Sequence, residues 1–168
     1  QANEAALPKM AASYTYDVLQ TAGPARDVVL VGSGQNQLEP HLAMVAAKHG
    51  RAITPDPRPE RALFYRADHF SLAKRGVPTV LFMGMSGGAD LEKGGRAAGD
   101  AWVEDYTARC YHQTCDRWAP DQDYRGAAAD VQLAFEAGRD LANSARWPDW
   151  NETSEFKPLR AASASQRR

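Results

Sequence analysis

Two short apolar runs constrain the fold of this chain more than any other feature. Residues 27–32 read Asp-Val-Val-Leu-Val-Gly, and residues 77–83 read Val-Pro-Thr-Val-Leu-Phe-Met. Because neither run alternates apolar with polar residues, each is typical of a strand whose two faces are both buried. Residues 14–19, Tyr-Thr-Tyr-Asp-Val-Leu, mix aromatic and β-branched residues and predict a third strand.

Helical patterns lie between and after these strands. Residues 37–49 and 123–145 carry apolar side chains at helical spacing, and residues 68–75 and 100–109 predict two shorter helices. In the longest helix, the predicted buried face consists of Ala127, Val131, Ala134, Phe135, Gly138, Leu141 and Ala142. Strands that alternate with helices predict an α/β domain of three layers, with a mostly parallel sheet flanked by helices.

The remaining segments predict loops and chain ends. Residues 84–99 are rich in Gly and Ala and predict a long loop, which in a compact domain is usually functional. Three prolines exclude a helix or an inner strand at residues 54–60. The polar segment after Trp147 predicts a partly disordered C-terminal extension, residues 147–168, beside a main domain of residues 1–146.

The predicted sheet is small for its fold class. About three strands are recognisable, whereas a complete doubly wound sheet has about five or more. The chain of 168 residues begins with Gln rather than Met. We therefore interpret the chain as the C-terminal portion of a larger α/β domain, and we expect the N-terminal part of that domain as its partner.

The charge and hydrophobicity of the chain argue against several kinds of partner. The formal net charge is −1, so bulk electrostatics favour neither nucleic acid nor an anionic membrane. No apolar run approaches the roughly 20 residues of a membrane-spanning helix. Gly32-Ser-Gly34 follows a strand, but Gln37 stands where a dinucleotide-binding motif has its third Gly. We therefore predict no binding of nucleic acid, membranes or dinucleotides.

The segment Arg109-Cys-Tyr-His-Gln-Thr-Cys-Asp116 is the most informative for chemistry. The neutral imidazole of His112 is a good zinc ligand, and the phenol of Tyr111 can donate a hydrogen bond to an oxyanion. Cys110 and Cys115 either form a local disulfide, which would close a small loop around both side chains, or remain two free thiols. From the spacing alone, an incidental histidine in a surface loop stays open as the alternative.

Two segments resemble motifs of the co-catalytic di-zinc exopeptidases, family 28 of the metallopeptidases. Residues 66–82 resemble the family's Ser-Asp-His, short helix, Gly-(Ile/Val)-Pro and hydrophobic strand, with Ala67 in place of the usual Ser. Tyr111-His112, followed by a short loop, an Asp and a long helix, resembles the family's last metal-ligand motif. The resemblance covers residues 14–145 and implies a zinc-exopeptidase-like fold, of which this chain is an incomplete part.

The resemblance implies a role for each matching residue. It implies that His112 binds one zinc ion and that Tyr111 is a catalytic residue that stabilises the tetrahedral intermediate. Asp68 and His69 fall in the segment that lines the substrate pocket, where Asp68 would orient the metal ligands rather than bind the metal. The alternative for Asp68 is a purely structural role as the N-cap of the helix at residues 69–75.

Asp17 resembles the terminal ligand of the other zinc ion. The family places an Asp at the end of a strand, shortly before a Gly-Pro turn and the next strand, and here Asp17 precedes Gly23-Pro24 and the strand at residues 27–32. Thr15 occupies the position where the family usually has Asn. The alternative is an aspartate at a strand end without a role in metal binding.

The resemblance also bears on the two cysteines. Secreted aminopeptidases of the family often carry a disulfide around the last His ligand, which favours a bridge between Cys110 and Cys115. Such a bridge would stabilise the small loop by roughly 2 kcal/mol. It would also imply a periplasmic or secreted protein, because disulfides persist in oxidising compartments.

Two motifs of the family's site are absent from the sequence. A His-x-Asp, whose Asp bridges the metal ions, and a Glu-Glu, which supplies a general base and a ligand, occur nowhere among the 168 residues. A catalytic zinc ion has about three protein ligands, and this chain offers one to each ion. The resemblance thus implies an aminopeptidase with two Zn²⁺ ions that acts on peptides with a free N-terminus, whereas we expect this chain alone neither to bind zinc tightly nor to hydrolyse peptides. The alternative is a non-catalytic binding or interaction module that keeps the peptidase fold.

Overall fold

The computed structural model describes residues 3–167 and contains four strands. The strands are β1 (Ser13–Asp17), β2 (Asp27–Val31), β3 (Ala52–Pro55) and β4 (Thr79–Met83). The α-helices are α1 (Leu38–Lys48), α2 (Phe70–Ala73), α3 (Gly95–Arg109), α4 (Arg125–Ala142) and α5 (Lys157–Ala161), and short 3₁₀ helices cover Glu4–Lys9, Pro59–Arg61, Leu63–Tyr65 and Ala164–Gln166. The three predicted strands and the four predicted helices are confirmed, with ends that differ by a few residues except at α3.

The strands form one mixed sheet in the order β1-β4-β2-β3. β1 runs parallel to β4 and β2 runs parallel to β3, while β4 and β2 are antiparallel. The predicted α/β class with a mostly parallel sheet is therefore confirmed. β3 was not predicted, because its last residue, Pro55, and the two prolines that follow suggested a loop. It lies at an edge of the sheet, where a proline such as Pro55 is tolerated.

The two central strands bury both of their faces, as their sequences predict. All five residues of β2 and all five of β4 are buried. On one face Leu30 and Phe82 join the cluster formed by α1 and α4. On the other face Leu81 and Met83 join a second cluster, which contains Phe64, Trp150 and Phe156. These opposed clusters anchor the sheet and hold its edges in place.

The predicted buried face of α4 is partly wrong. Val131 is 48% exposed and Phe135 is 59% exposed. The residues that face the core are instead Ala127, Leu133, Ala134, Ala137 and Leu141, together with a buried Asp130. Asp130 accepts a hydrogen bond of 2.6 Å from Arg51, which compensates its burial. Since α4 is apolar on two sides, its sequence alone does not indicate which side faces the sheet.

The C-terminal extension packs against the domain between residues 150 and 160. Trp150 and Phe156 are buried, and the Trp150 indole donates a hydrogen bond of 3.1 Å to the carbonyl of Gly76. Arg160 is also buried and donates to the carbonyl of Met10 at 2.9 Å. The expectation of a partly disordered extension is therefore wrong for this stretch, because sparse aromatic anchors in a polar segment suffice to dock it. The domain boundary at residue 146 stays a prediction.

The segment predicted as a long loop is shorter than expected and well anchored. α3 begins at Gly95, so the connection from β4 covers residues 84–94. Met85, Ser86 and Leu91 are buried, and the amide of Asp90 donates a hydrogen bond of 2.7 Å to Asp27. In the part of the chain that the structure describes, no helix has the length and apolar character needed to cross a membrane.

Candidate functional site

Three segments that the sequence singles out converge beside the carboxyl end of β1. Asp17 is the last residue of β1, Asp68 precedes α2, and Tyr111-His112 follow α3. Their apolar chain neighbours Val18 and Phe70, and Tyr111 itself, pack against the same core cluster. The shared packing brings three distant parts of the sequence to one edge of the sheet.

The charges of these segments interact at the Asp17 carboxylate. Burial raises the pKa of Asp17, and the neighbouring carboxylate of Asp68 raises it further, whereas His112 lowers it. A carboxylate whose ionised form is disfavoured by burial and by a second carboxylate is one beside which a cation would be stabilised. The structure thus places Asp68 and His112 close enough to Asp17 to act on its charge, while the roles of these residues in metal binding stay a prediction.

A disulfide between Cys110 and Cys115 encloses the Tyr111-His112 pair, as expected. The Cα atoms of the two cysteines are 5.3 Å apart. The loop continues directly from α3, because the amides of Cys110 and Tyr111 both donate hydrogen bonds of 2.9 Å to the carbonyl of Tyr106. The site residues of this loop are therefore held between the end of α3 and the disulfide.

Aromatic stacking orders the same loop. The rings of Tyr111 and His112 stack with centroids 3.9 Å apart, and Tyr106 lies 6.0 Å from Tyr111. Burial, together with a hydrogen bond from its hydroxyl to Asp116 at 3.0 Å, raises the pKa of Tyr106 to about 12. Tyr106 consequently keeps its proton at neutral pH. It was not predicted as a site residue, although its position on α3, five residues before Tyr111, was a usable signal.

Two residues of the site have a left-handed backbone. Val18 has φ 49° and His112 has φ 59°, a region that is rare for residues other than glycine and most unfavourable for a β-branched side chain such as Val. The carbonyl of Val18 accepts a hydrogen bond of 2.7 Å from Gly84, where an added Cβ would approach that oxygen to 2.6 Å. Local strain of this kind persists only when surrounding contacts impose it, and it is frequent at functional sites.

The prediction that His69 lines the substrate pocket is wrong. His69 is buried, whereas its neighbour Asp68 is exposed. Asp68 is exposed, but His69 is only 1% exposed and lies against the ring of Phe64 at 4.6 Å. Neither ring nitrogen of His69 has a hydrogen-bond partner among residues 3–167. Burial lowers the pKa of His69 to about 4, so the ring is neutral at neutral pH. His69 is therefore a core residue rather than part of a pocket lining.

The structural alternative for Asp68 is also wrong. The N-cap residue of α2 is His69, and no side-chain hydrogen bond caps this helix. Asp68 thus does not cap α2, and its exposed carboxylate acts on the charge of Asp17. An orienting role at the site stays a prediction.

The residues present fit part of a metal site but not a whole one. Within residues 3–167, no group of three or more His, Cys, Asp or Glu side chains is arranged to hold a metal ion. A catalytic zinc ion has about three protein ligands. Asp17 and His112 have the right chemistry, and the repulsion between Asp17 and Asp68 favours a cation, yet the donors of this chain do not complete a coordination shell.

An open groove adjoins the disulfide loop on the side of α3. Its volume is about 870 Å³, and it is lined by Val18, Tyr106 and the disulfide, with further aromatic residues Trp102, Trp118 and Tyr124. Trp102 and Tyr106 stack with centroids 5.2 Å apart. These aromatic residues were not predicted as functional, although Trp102 and Tyr106 stand four positions apart on one helix. The groove has the size and the apolar surfaces that a peptide side chain requires.

The Gly32-Ser-Gly34 turn is closed to phosphate by the chain itself. The carboxylate of Glu39 accepts hydrogen bonds from the amides of Gly34 at 2.7 Å and Gln35 at 2.8 Å, and from the Ser33 hydroxyl at 3.1 Å. An anion already occupies the donors that a dinucleotide motif would offer to phosphate. This local arrangement supports the expectation that the turn does not bind nucleotides.

The fold and the site together define an α/β domain with ionisable side chains gathered beside the carboxyl end of one strand, as in many hydrolases. The chain matches the sequence model of Peptidase family M28 over residues 1–136. It belongs to that family, and the resemblance seen in its motifs is confirmed. The domain is thus a peptidase domain, and its substrates are peptides. No curated protein and no solved structure matches the chain.

Proposed function

We propose that this chain is the C-terminal portion of a zinc-dependent aminopeptidase. The observation that carries the proposal is the convergence of Asp17, Asp68 and the Tyr111-His112 loop beside the end of β1, in a member of a peptidase family. Zinc, when bound, supplies a water of lowered pKa for attack on the scissile peptide bond. We expect the substrate to be a peptide whose free α-amine is held close to this site.

Each of the predicted site residues would have a separate role in binding the metal ions or stabilising the transition state. Asp17 and His112 would each hold one of two zinc ions, and Asp68 would orient the ligands while adding negative charge. The Tyr111 phenol would donate a hydrogen bond to the oxygen that becomes negative during attack, and the disulfide loop would fix the direction of that phenol. The groove beside Val18 and Tyr106 would accept a substrate side chain.

The chain alone would not complete this site. The sequence lacks the His-x-Asp and Glu-Glu motifs, and the described residues contain no three-ligand group. We therefore expect weak zinc binding and no peptide hydrolysis by the isolated chain. A peptide-binding module without catalysis is the alternative, which the lack of a three-ligand group favours.

Zinc titration by calorimetry tests the proposal. We expect dissociation constants weaker than about 1 μM for the chain alone, and a further loss of binding in Asp17→Ala and His112→Ala. His49→Ala is the matched control, since His49 lies far from the site and pairs with Glu136 at 3.0 Å. Sub-micromolar binding would contradict the incomplete site. Weak binding that is equal in all variants would contradict the assigned ligands and favour the non-catalytic module.

We also propose that the protein works in the periplasm or outside the cell. The proposal is supported by the disulfide, which would be kept reduced in most cytosols. Equilibration with glutathione buffers measures the potential of the Cys110–Cys115 pair. A pair that stays fully reduced at a potential as oxidising as about −200 mV, that of the secretory compartment, would contradict this location.

A further inference from the structure

A pocket at the carboxyl ends of β2 and β3 lies apart from the candidate metal site. We call it the β2–β3 pocket, because it begins where β2 ends at Val31 and β3 ends at Pro55. Its volume is about 340 Å³, which is within the range of pockets that bind small molecules. The side chains that give it its chemical character are those of Ser33, Gln35, Asp56, Leu63, Phe64 and Tyr65.

The strand directions place this pocket and Asp17 at opposite ends of the sheet. β2 is antiparallel to β4, with Val31 paired to Leu81, so the carboxyl end of β2 points towards the amino end of β4. Asp17 is paired with Met83 at the carboxyl end of β4. Because β2 and β3 are parallel neighbours, their shared carboxyl end is a position where α/β proteins bind ligands. The β2–β3 pocket is therefore a second candidate site.

One wall of the pocket is apolar and held in place by its backbone. Gly32 has φ 77°, and a Cβ added there would approach the ring of Phe64 to 2.1 Å, so only glycine lets this ring pack against the turn. Leu63 and Phe64 are both buried. Ala62, which precedes them between two 3₁₀ helices, is also left-handed with φ 53°. Such local strain persists only where surrounding contacts impose it, so we infer a pre-formed wall.

The charge of the pocket is negative and has no ionic partner. Within residues 3–167, Asp56 is the only charged side chain that lines the pocket, and its carboxylate accepts a hydrogen bond of 2.9 Å from the amide of Arg58 but forms no ion pair. The guanidinium of Arg58 pairs with Asp100 at 3.8 Å instead, and that of Arg61 donates to the carbonyl of Met85 at 3.4 Å. The neighbouring arginines are therefore directed to other groups, and the Asp56 charge favours a cation in the pocket.

The hydroxyl groups of the lining can act only as acceptors towards a ligand. The Ser33 hydroxyl donates a hydrogen bond to Glu39 at 3.1 Å, and the Tyr65 hydroxyl donates to Glu155 at 2.8 Å. Because a hydroxyl has one proton, the oxygens of Ser33 and Tyr65 keep only their lone pairs for a further partner. The side-chain amide of Gln35 can also accept. An ammonium group, which has three donors and no acceptor, matches this set.

We propose that the β2–β3 pocket binds a primary ammonium group carried on an aromatic or branched apolar body. The ammonium group lies beside Asp56 and donates to the Ser33 oxygen, while the apolar body packs against Leu63 and Phe64. Tyr65, whose side chain is 46% exposed, adds a cation–π contact. A carboxylate ligand fits poorly, because it would meet the charge of Asp56 without a compensating cation. This site goes beyond the proposed function, since it uses none of the predicted metal ligands.

Binding of tryptamine to the 168-residue chain tests the proposal. We expect tryptamine to shift the amide NMR signals of Gly32, Ser33 and Tyr65 and to leave those of residues 110–116 unchanged. N-acetyltryptamine has the same ring without the charge, and calorimetry should show that it binds about tenfold more weakly. Asp56→Asn keeps an oxygen for the Arg58 amide and should weaken tryptamine binding by about the same factor.

The matched control variant is Asp121→Asn, which removes an exposed carboxylate outside the pocket and should leave tryptamine binding unchanged. The dipeptide Trp-Gly distinguishes two sources of the ammonium group. Shifts of the same amides by Trp-Gly assign the pocket to the N-terminal residue of a peptide, whereas shifts by tryptamine alone assign it to a free amine.

Three results would overturn the proposed pocket. They are equal affinity for tryptamine and N-acetyltryptamine, unchanged binding in an Asp56→Asn variant that circular dichroism shows to be folded, and the absence of shifts at Gly32, Ser33 and Tyr65. Shifts confined to residues 110–116 would place the amine at the candidate metal site instead and would equally overturn the pocket. The zinc titration of Asp17 and His112 variants is independent of these measurements, so failure here leaves the proposed aminopeptidase unaffected.

Discussion

Two aspartates at the same end of the sheet, Asp17 and Asp27, have side chains in different electrostatic surroundings. Asp27 begins β2 and Asp17 ends β1, and because β2 is antiparallel to β4, both lie at the carboxyl end of β4. The Asp27 carboxylate is buried and accepts hydrogen bonds from Thr54 at 2.5 Å, from the amide of Asp90 at 2.7 Å and from Arg96 at 2.6 Å. Its charge is compensated by the protein itself.

Asp17 instead faces another carboxylate. Asp68 raises the pKa of Asp17 beyond the effect of burial, and only His112 acts in the opposite sense. Asp27 holds the β4–α3 connection through these hydrogen bonds, whereas the ionised form of Asp17 is disfavoured by burial and by Asp68. The two aspartates lie at the same end of the sheet and differ in their partners, so the comparison identifies Asp27 as a structural carboxylate and leaves a role of Asp17 in metal binding as a prediction.

Removal of the Asp27 carboxylate should have the largest effect. Asp27→Ala leaves the buried amide of Asp90 and the Arg96 guanidinium without their acceptor. We expect the free energy of unfolding to fall by about 3 kcal/mol. Urea denaturation followed by circular dichroism measures it, and Asp17→Ala is the paired variant, with an expected change within about 1 kcal/mol. Equal losses in the two variants would remove the distinction between the aspartates.

Removal of the disulfide should destabilise the loop near Asp17 and leave the surroundings of Asp27 unchanged. Cys110→Ser with Cys115→Ser opens the loop that holds Tyr111 and His112, and we expect a loss of about 2 kcal/mol in unfolding free energy. Hydrogen exchange should accelerate in residues 110–116 and stay unchanged in residues 88–94, which Asp27 anchors. Dithiothreitol should reproduce the loss in the native protein and leave the double variant unaffected. Faster exchange at both places would show that the two regions are coupled.

Neutralising Asp17 should have the smallest effect, with a defined pH dependence. Its pKa is raised in the folded protein, so the carboxylate begins to destabilise the fold as the pH rises through its unfolded-state pKa, and the penalty is complete above the folded-state pKa. We expect Asp17→Asn to raise the unfolding free energy by less than about 1 kcal/mol at pH 7 and to leave it unchanged near pH 3. Asp121→Asn at an exposed position serves as the control. Destabilisation at pH 7 would mean that the Asp17 carboxylate has a structural partner.

Local sequence patterns were enough for the parts of the molecule that depend on local chemistry. The unbroken apolar runs of β2 and β4 predicted strands buried on both faces, and the short spacing of Cys110 and Cys115 made their pairing possible. The grouping of Asp17 with His112 was predicted from motif order. Each of these features requires either a few adjacent residues or a pattern shared across a family.

The features that the sequence did not predict depend on contacts between distant residues. Val131 and Phe135 were predicted as core residues because α4 is apolar on two sides. Only the position of α1 decides which side of α4 is buried. His69 looked like a pocket residue because Asp68 precedes it, yet the rotation of α2 turns the imidazole towards Phe64. The polar composition after Trp147 suggested disorder, and the burial of Phe156 and Arg160, which docks this segment, was not predicted.

The buried Arg160 has a consequence for how the protein is made. Its guanidinium binds the carbonyls of Met10 and Ala11, which precede it by 150 and 149 residues. A ribosome that adds about 5–20 residues per second reaches Arg160 roughly 7–30 seconds after Ala11. Throughout that interval the segment before β1 lacks this anchor, so it is among the last parts of the described fold to be secured. A nascent chain that stalls before Arg160 would present this segment to chaperones and proteases.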